Sequence, residues 1–313
     1  MQNIIVVLGT GGTIAGTSAI AGDDIGYAAA QIGVAQLVQA VPALAAVPLE
    51  CEQVAQIDSK DMGFAVWRAL ALRVSHHLVR PEVAGIVVTH GTDTLEESAY
   101  FLQRVLAPGK PVVLTAAMRP ATSPQADGPQ NLLDAVVVAG HAGVQGVVAV
   151  LDGHVHLAQD VRKTHTYRVD AFTSGDAGPM GVIANGQVRV LRSRPPDIAL
   201  GVSVLPADGA AWPRVEIVHS HAGADGAAVR ALCAAGARGL VVAATGNGTV
   251  HRDLEAALLE AQASGVGVLR SSHCPGGRVM ARADDVLPSA GDLTPVKARI
   301  ELMLGLMSLL RAS

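Results

Sequence analysis

The sequence predicts a two-domain α/β protein, and three observations carry that prediction. Short apolar runs alternate with amphipathic stretches along most of the chain, the pattern of parallel βαβ units. Glycine is abundant, at 34 of 313 residues, which suits tight strand-to-helix turns. A Pro- and Arg-rich segment with no sustained period, Leu191 to Pro213, interrupts the pattern and reads as a linker. The chain is long enough for two full cores. The expected division is therefore a larger N-terminal domain, residues 1–190, a linker at 191–213, and a smaller C-terminal domain, 214–313.

Taken in order, the strand candidates of the first domain are Asn3–Leu8, Val47–Ile57, Gly85–Thr89, Pro111–Leu114 and Gly146–Leu151. Each is a short run rich in Val, Ile or Leu. Helices are expected between them at Val34–Ala40, Met62–Val79 and Leu95–Leu106. The last aligns Leu95, Ala99, Leu102 and Leu106 on one face, and Pro108-Gly109 stops it. Beyond the linker, Val215–His219, Gly239–Ala244 and Gly265–Leu269 are three more strands with helices between. Thr294-Pro295 opens a final helix with an N-cap and a proline at its first position. The first domain is thus a mostly parallel sheet flanked by helices, and the second a smaller, flavodoxin-like parallel sheet.

Half the chain is hydrophobic but only 3% is aromatic, so Val, Ala, Leu and Ile must build the core. The net charge of −4 and the lack of a basic cluster argue against nucleic acid as a partner. Cys51, Cys233 and Cys274 are odd in number, far apart and outside any Cys-x-x-Cys pattern. They read as reduced thiols of a cytoplasmic protein, or of a periplasmic one from which a leader has been removed. The longest uncharged stretch, Ala135 to Leu151, contains His141, Gln145 and three glycines and does not read as a membrane span. Only four of the 23 basic residues are lysines: Lys60, Lys110, Lys163 and Lys297. Lysine can give up its proton in a protein and arginine cannot, so each surviving lysine deserves scrutiny.

Two loops carry the chemistry. Gly9-Thr10-Gly11-Gly12-Thr13-Ile14-Ala15-Gly16 follows the first apolar run, and Thr89-His90-Gly91-Thr92-Asp93-Thr94 follows Ile86-Val87-Val88. Strand ends are where α/β proteins place ligands. A hydroxyl among glycine-freed N–H groups combines a nucleophile with oxyanion donors, the two needs of acyl transfer. Thr94-Leu95-Glu96-Glu97 reads as a capping box, whereas Thr92 and Asp93 precede the cap and also suit a simple turn. The first loop fits a dinucleotide fingerprint poorly, because Ile14 occupies its third glycine position. Asp152-Gly153-His154-Val155-His156 has metal-chelating spacing, but a solvated, His-bearing strand end explains it better. His219-Ser220-His221 reads the same way. Tyr27 lies in a stretch from Thr17 to Gln31 with little to bury, which reads as a mobile loop that can bring a phenol to a hydroxyl nucleophile.

Together these residues resemble the bacterial-type L-asparaginase/glutaminase family of threonine amidohydrolases. The first loop, from Thr10 to Gly16, is similar to one family signature, and His90-Gly91-Thr92-Asp93-Thr94-Leu95-Glu96-Glu97 to the other. Ala117-Met118-Arg119-Pro120, Ala126-Asp127-Gly128-Pro129, Asp160-Val161-Arg162-Lys163-Thr164 and Gly246-Asn247-Gly248 extend the likeness over nearly the whole chain.

The resemblance implies hydrolysis of the side-chain amide of L-asparagine through a threonine acyl-enzyme, with a side activity on L-glutamine. It implies Thr13 as nucleophile, assisted by Tyr27, and a second triad of Thr92, Asp93 and Lys163. Ser59 would hold the substrate α-carboxylate, Asp93 its ammonium, and the Ala117 backbone the departing amide. Lys60 stands where much of the family has glutamine and either faces the ammonium or pairs with Asp58 or Asp61 outside the pocket, and Thr249 stands where the family often has asparagine. No metal or organic cofactor is implied. Nucleic acid and membrane are not expected partners. A homotetramer is expected, a dimer of dimers in which a neighbour's C-terminal domain completes each site. Two other readings stay open: an asparaginase-like subunit of an amidotransferase, a role that usually needs a domain ahead of the first strand, and a metal-dependent hydrolase using Asp152, His154 and His156.

Overall fold

The computed structural model describes residues 3–20, 22–195 and 197–312. By packing, the chain divides into two compact units, Met1–Val202 and Ser203–Ser313.

In the first unit the apolar runs become strands and the periodic stretches helices. In chain order they are β1 (Ile4–Gly11), α1 (Val34–Gln39), β2 (Leu49–Ile57), α2 (Phe64–Leu78), β3 (Val83–Thr89), α3 (Leu95–Leu106), β4 (Pro111–Thr115), α4 (Gly128–Ala139), β5 (Gly146–Leu151), β6 (His154–Leu157), β7 (Arg162–Lys163), β8 (Phe172–Thr173), β9 (Gly181–Ala184) and β10 (Gln187–Val190). Eight of the strands form one sheet in the order β10-β9-β6-β5-β4-β3-β1-β2. The five from β2 to β5 are parallel. Strands β1, β3, β4 and β5 are apolar at nearly every position because both faces of the sheet are covered. Ile5, Val7, Val87, Val113 and Val148 meet α1 and α4 on one face, through Val34, Leu37, Leu132 and Val136. On the other, Trp67 of α2 stacks on Phe101 of α3 with ring centroids 4.9 Å apart. Complete burial of side chains such as Leu70 and Leu102 contributes about 1.5–3 kcal/mol each.

Three features differ from the expectations drawn from sequence. The segment after β5 is an antiparallel extension, β6, β9 and β10, which the sequence reading did not separate as strands. Asp152 and Gly153 are the turn of its first hairpin, with φ of 48° and 69°, the geometry Asp-Gly favours between antiparallel strands. Lys163 sits on a two-stranded ribbon, β7–β8. Finally, the first residues of the aperiodic segment are held on the first unit: Asp197 pairs with Arg104 at 2.8 Å. The N–H groups of Leu200 and Gly201 donate to carbonyls at the end of α3.

The order β2-β1-β3-β4-β5 decides where a ligand can sit. The chain winds one way from β1 to β2 and the other way from β3 onward, so the crossovers leave a crevice at the carboxyl ends of β1 and β3. The two glycine-bounded loops leave from those two strands.

The second unit comprises β11 (Val215–His219), α5 (Ala227–Ala234), β12 (Gly239–Ala244), α6 (Arg252–Ala263), β13 (Gly267–Ser272) and α7 (Pro295–Ala312). Its three strands are parallel in the order β11-β12-β13. The core gathers Val218, Leu240, Val242, Leu254, Leu258 and Val268. Thr294 caps α7, its hydroxyl accepting from the Lys297 N–H at 3.4 Å. Among the described residues no helix is long and apolar enough to cross a membrane.

Candidate active site

The two loops touch backbone to backbone. Gly12 holds a φ of 83°, and a Cβ built on it would overlap Gly91 Cα and N. Only a chain without a side chain at this point lets the end of β1 lie against the end of β3. A Cβ on Gly91 would in turn overlap the Ser59 hydroxyl. The contact therefore fixes three segments against one another.

Thr13 follows immediately and begins a short 3₁₀ turn over Thr13–Ala15. Its side chain is buried, and Oγ1 lies 2.7 Å from the Tyr27 hydroxyl. Tyr27 comes from the 17–28 loop, whose base is closed by reciprocal backbone bonds of 2.9 Å between Thr17 and Ala28. A second pairing lies in the loop after β3. Lys163 Nζ donates to Thr92 Oγ1 at 2.9 Å and to Asp93 Oδ1 at 2.7 Å. Thr92 is buried, whereas the Asp93 side chain is 53% exposed and open to a soluble ligand. Each threonine thus has a protic partner at hydrogen-bond distance, the arrangement a hydroxyl nucleophile or its activator requires.

Ser59 is buried and accepts the Asp93 N–H at 3.2 Å. Thr94, expected to cap α3, makes no side-chain cap bond. Its hydroxyl instead donates to the Ser59 carbonyl at 2.8 Å, tying the loop after β2 to the loop after β3. Asp127 behaves in the same way at the head of α4: its carboxylate accepts the N–H groups of Met118 and Arg119, both at 2.9 Å. Asn131 donates to the Ala116 carbonyl, also at 2.9 Å. The fully buried Ala117 is held within that turn. Sequence reasoning assigned Asp127 and Asn131 no task; the signal available was a carboxylate at a helix head directly after a motif segment.

His90 was also passed over. It is completely buried, and Nε2 accepts from Ser98 Oγ, which accepts from Trp67 Nε1. That leaves Nδ1 to donate to the Gly91 carbonyl at 2.7 Å, so the neutral ring clamps the loop that carries Thr92. Burial pushes its pKa down to about 4. The unfolded chain, with an ordinary histidine near 6.5, binds the proton first, so stability is fully present above about pH 6.5 and is lost as pH falls toward 4. The expected loss is on the order of 3 kcal/mol. Urea unfolding of the wild type and His90→Gln at pH 7 and pH 4 checks it. The stability gap between them should shrink at the lower pH, and a constant gap would show that His90 is not held neutral.

Of the two readings of Lys60, the structure has the paired one: Nζ lies 2.9 Å from both Asp58 and Asp61, and the side chain is 62% exposed. The Asp58 carboxylate, then that of Asp61, holds its pKa above the ordinary lysine value. The adjacent carboxylates attract the ammonium locally and compensate its charge. Lys60→Gln should therefore change KM for asparagine and for succinamate, which lacks the ammonium, by similar factors within about twofold. A selective fall in KM for asparagine would restore the repulsive reading.

Asp152, His154 and His156 do not converge as metal ligands. His154 is exposed and its Nδ1 donates to the Asp152 carbonyl, while His156 is buried with Nδ1 2.8 Å from Ser174 Oγ. Among the described residues no group of three His, Cys, Asp or Glu side chains could hold a metal ion.

Comparison with known proteins identifies the family. The family profile "Asparaginase, N-terminal" matches residues 4–196, and "Glutaminase/Asparaginase C-terminal domain" matches residues 214–310. The chain is 40% identical to L-asparaginase 2 of Escherichia coli, over 96% of this chain and 88% of that protein. It is 38% identical to the glutaminase-asparaginase of Pseudomonas fluorescens biotype A, over 96% and 86%. The crystal structure of a probable cytoplasmic L-asparaginase from Campylobacter jejuni superposes with a TM-score of 0.88 at 38% identity, covering 96% of this chain and 94% of that one. Likeness of this extent over both units leaves one conclusion: the chain belongs to the asparaginase/glutaminase family.

Proposed function

We propose that this protein hydrolyses the side-chain amide of L-asparagine to L-aspartate and ammonia, with a side activity on L-glutamine. It is an amidohydrolase by family, and its relatives named L-asparaginase and glutaminase-asparaginase support both substrates. The observation that carries the reading is the pair of buried threonines, each hydrogen-bonded to a protic partner, at the crevice between β1 and β3.

In this reading the residues take the roles that the family resemblance implies, and the hydrogen bonds of Thr13 and Lys163 support them. Thr13 Oγ1 attacks the amide carbon, and the Tyr27 hydroxyl at 2.7 Å relays the threonine proton, accepting it as it passes its own on toward the amide nitrogen. Protonation of the amide nitrogen then releases ammonia and leaves an ester on Thr13. Water opens that ester, releasing the acid and restoring the hydroxyl. Lys163, held by Asp93, exchanges a proton with Thr92 or with the attacking water. Asp93 carries the negative charge suited to the substrate ammonium, and Ser59 offers a hydroxyl to the α-carboxylate. The backbone at Ala117 receives the departing amide. In the same reading the enzyme acts in the cytoplasm as a homotetramer, with sites completed by a neighbouring copy.

The test is ammonia release from L-asparagine, L-glutamine, D-asparagine and succinamate, with and without a chelator. Acid-quenched mass spectrometry would then seek the ester on Thr13. Asparagine turnover untouched by the chelator and a mass adduct on the Thr13 peptide support the reading. No turnover of any amide would overturn it.

A further inference from the structure

The turn after β4 contributes one side chain that the reaction above does not use. Arg119 is buried, with 9% of its side chain exposed, and its backbone is fixed by Asp127. Its guanidinium reaches two other segments. Nε lies 3.2 Å from Asp24 Oδ2, in the 17–28 loop that carries Tyr27. Nη1 donates to the Tyr167 carbonyl at 2.7 Å, and the guanidinium carbon lies 4.0 Å above the Tyr167 ring, in the connection between β7 and β8. One arginine therefore touches the loop of Tyr27 and the ribbon of Lys163 from the turn that holds Ala117.

The 17–28 loop needs such a hold. Its ends are pinned: Ala121 N–H donates to the Gly16 carbonyl, Ser18 N–H to Thr122 Oγ1 and, at the far end, Ala28 N–H to the Thr17 carbonyl, all at 2.9 Å. Its body buries little apolar surface, because Ile20 and Ile25 are 66% and 79% exposed. The Asp24 carboxylate is 16% exposed, and its Oδ1 is buried without a hydrogen bond. The Arg119 Nε–H is not aimed along the line to the carboxylate, so the contact acts through charge. An ion pair this far out of water is weakly screened, and losing one partner strands the other.

We propose that Arg119 is the latch of the Tyr27 loop. Its ion pair with Asp24 holds the loop where the Tyr27 hydroxyl meets Thr13, which makes Arg119 and Asp24 positioning residues. The proposal rests on the amidohydrolase reading for its effect on rate, but not for its effect on the loop. Lysine would keep the charge at 119 and lose the fork that binds the Tyr167 carbonyl and the ring stack.

The experiment compares Asp24→Asn, Arg119→Lys and Arg119→Gln with the wild type, each also in a Tyr27→Phe background. Asp24→Asn is the decisive variant, since it leaves the arginine and its Tyr167 contacts in place. Brief thermolysin digestion of the intact protein reads the loop directly, at the bond before Ile20, which none of these substitutions alters. Loss of the latch should speed that cleavage at least about tenfold and lower kcat for asparagine by a similar factor, with a smaller change in KM. In the Tyr27→Phe background the further loss of kcat should stay within about twofold, because the latch acts through Tyr27. Arg119→Lys should fall between the wild type and Arg119→Gln in both readouts. Unchanged cleavage in Asp24→Asn overturns the latch whatever the enzyme hydrolyses. Faster cleavage with an equal loss of kcat in both backgrounds overturns its action through Tyr27.

Discussion

Thr13→Ala and Thr92→Ala should each lower kcat for asparagine by about 10²–10⁴ while the protein stays folded. Each substitution removes one hydroxyl and one methyl from a loop residue and leaves the sheet core untouched. The structural cost is one unpaired hydrogen-bond partner, the Tyr27 hydroxyl in the first case and one Lys163 proton in the second. At about 1 kcal/mol each, that cost is small against the stability of a domain. The double variant should be little worse than the more damaged single one, because two groups in one catalytic unit do not contribute additively. Ammonia release and circular dichroism on the three variants decide the matter. Wild-type turnover in both single variants would remove the threonine mechanism.

Lys163→Arg should be nearly as damaging as Lys163→Ala. Arginine keeps a positive charge beside Asp93, so a lysine acting only as a charge would be replaced with little loss. It cannot release its proton to accept another, and its planar fork does not match two acceptors approached by a single Nζ at 2.9 and 2.7 Å. The measurement is kcat for the two variants across pH 6–9, with asparagine saturating. An arginine variant that retains half the wild-type rate would reduce Lys163 to an electrostatic role.

The sequence made the parallel part of the fold legible for definite reasons. Leu95–Leu106 shows its length because an apolar face recurs with helical period and Pro108-Gly109 ends it. The strands β3, β4 and β5 show themselves as apolar runs because both of their faces are buried. The antiparallel extension was harder: β6 has four residues and β9 and β10 four each, too short for a sustained period. Asp152-Gly153 did signal a turn, but the two histidines after it drew attention to metal spacing instead. At the candidate site, Thr13 and Thr92 were legible as hydroxyls in glycine-bounded loops at strand ends. The pairing of Lys163 with Asp93 spans 70 residues and no local pattern encodes it. Thr94 and Asp127 show the limit of local rules. Both occupy helix-cap positions, yet their side chains bond to neighbouring loops, because tertiary partners lay within reach.

The close approach of Gly12 to Gly91 bears on how the substrate range of such an enzyme could be altered. A library that randomises either signature loop would spend most of its members on chains in which a new Cβ pushes β1 and β3 apart at their ends. Such members would lose the alignment of both threonines together, whatever their contacts with substrate. Variation is better directed at exposed positions of the 17–28 loop such as Ile20 and Ile25, which lie outside the seam. A change there leaves the glycine contact to keep the two hydroxyls in register.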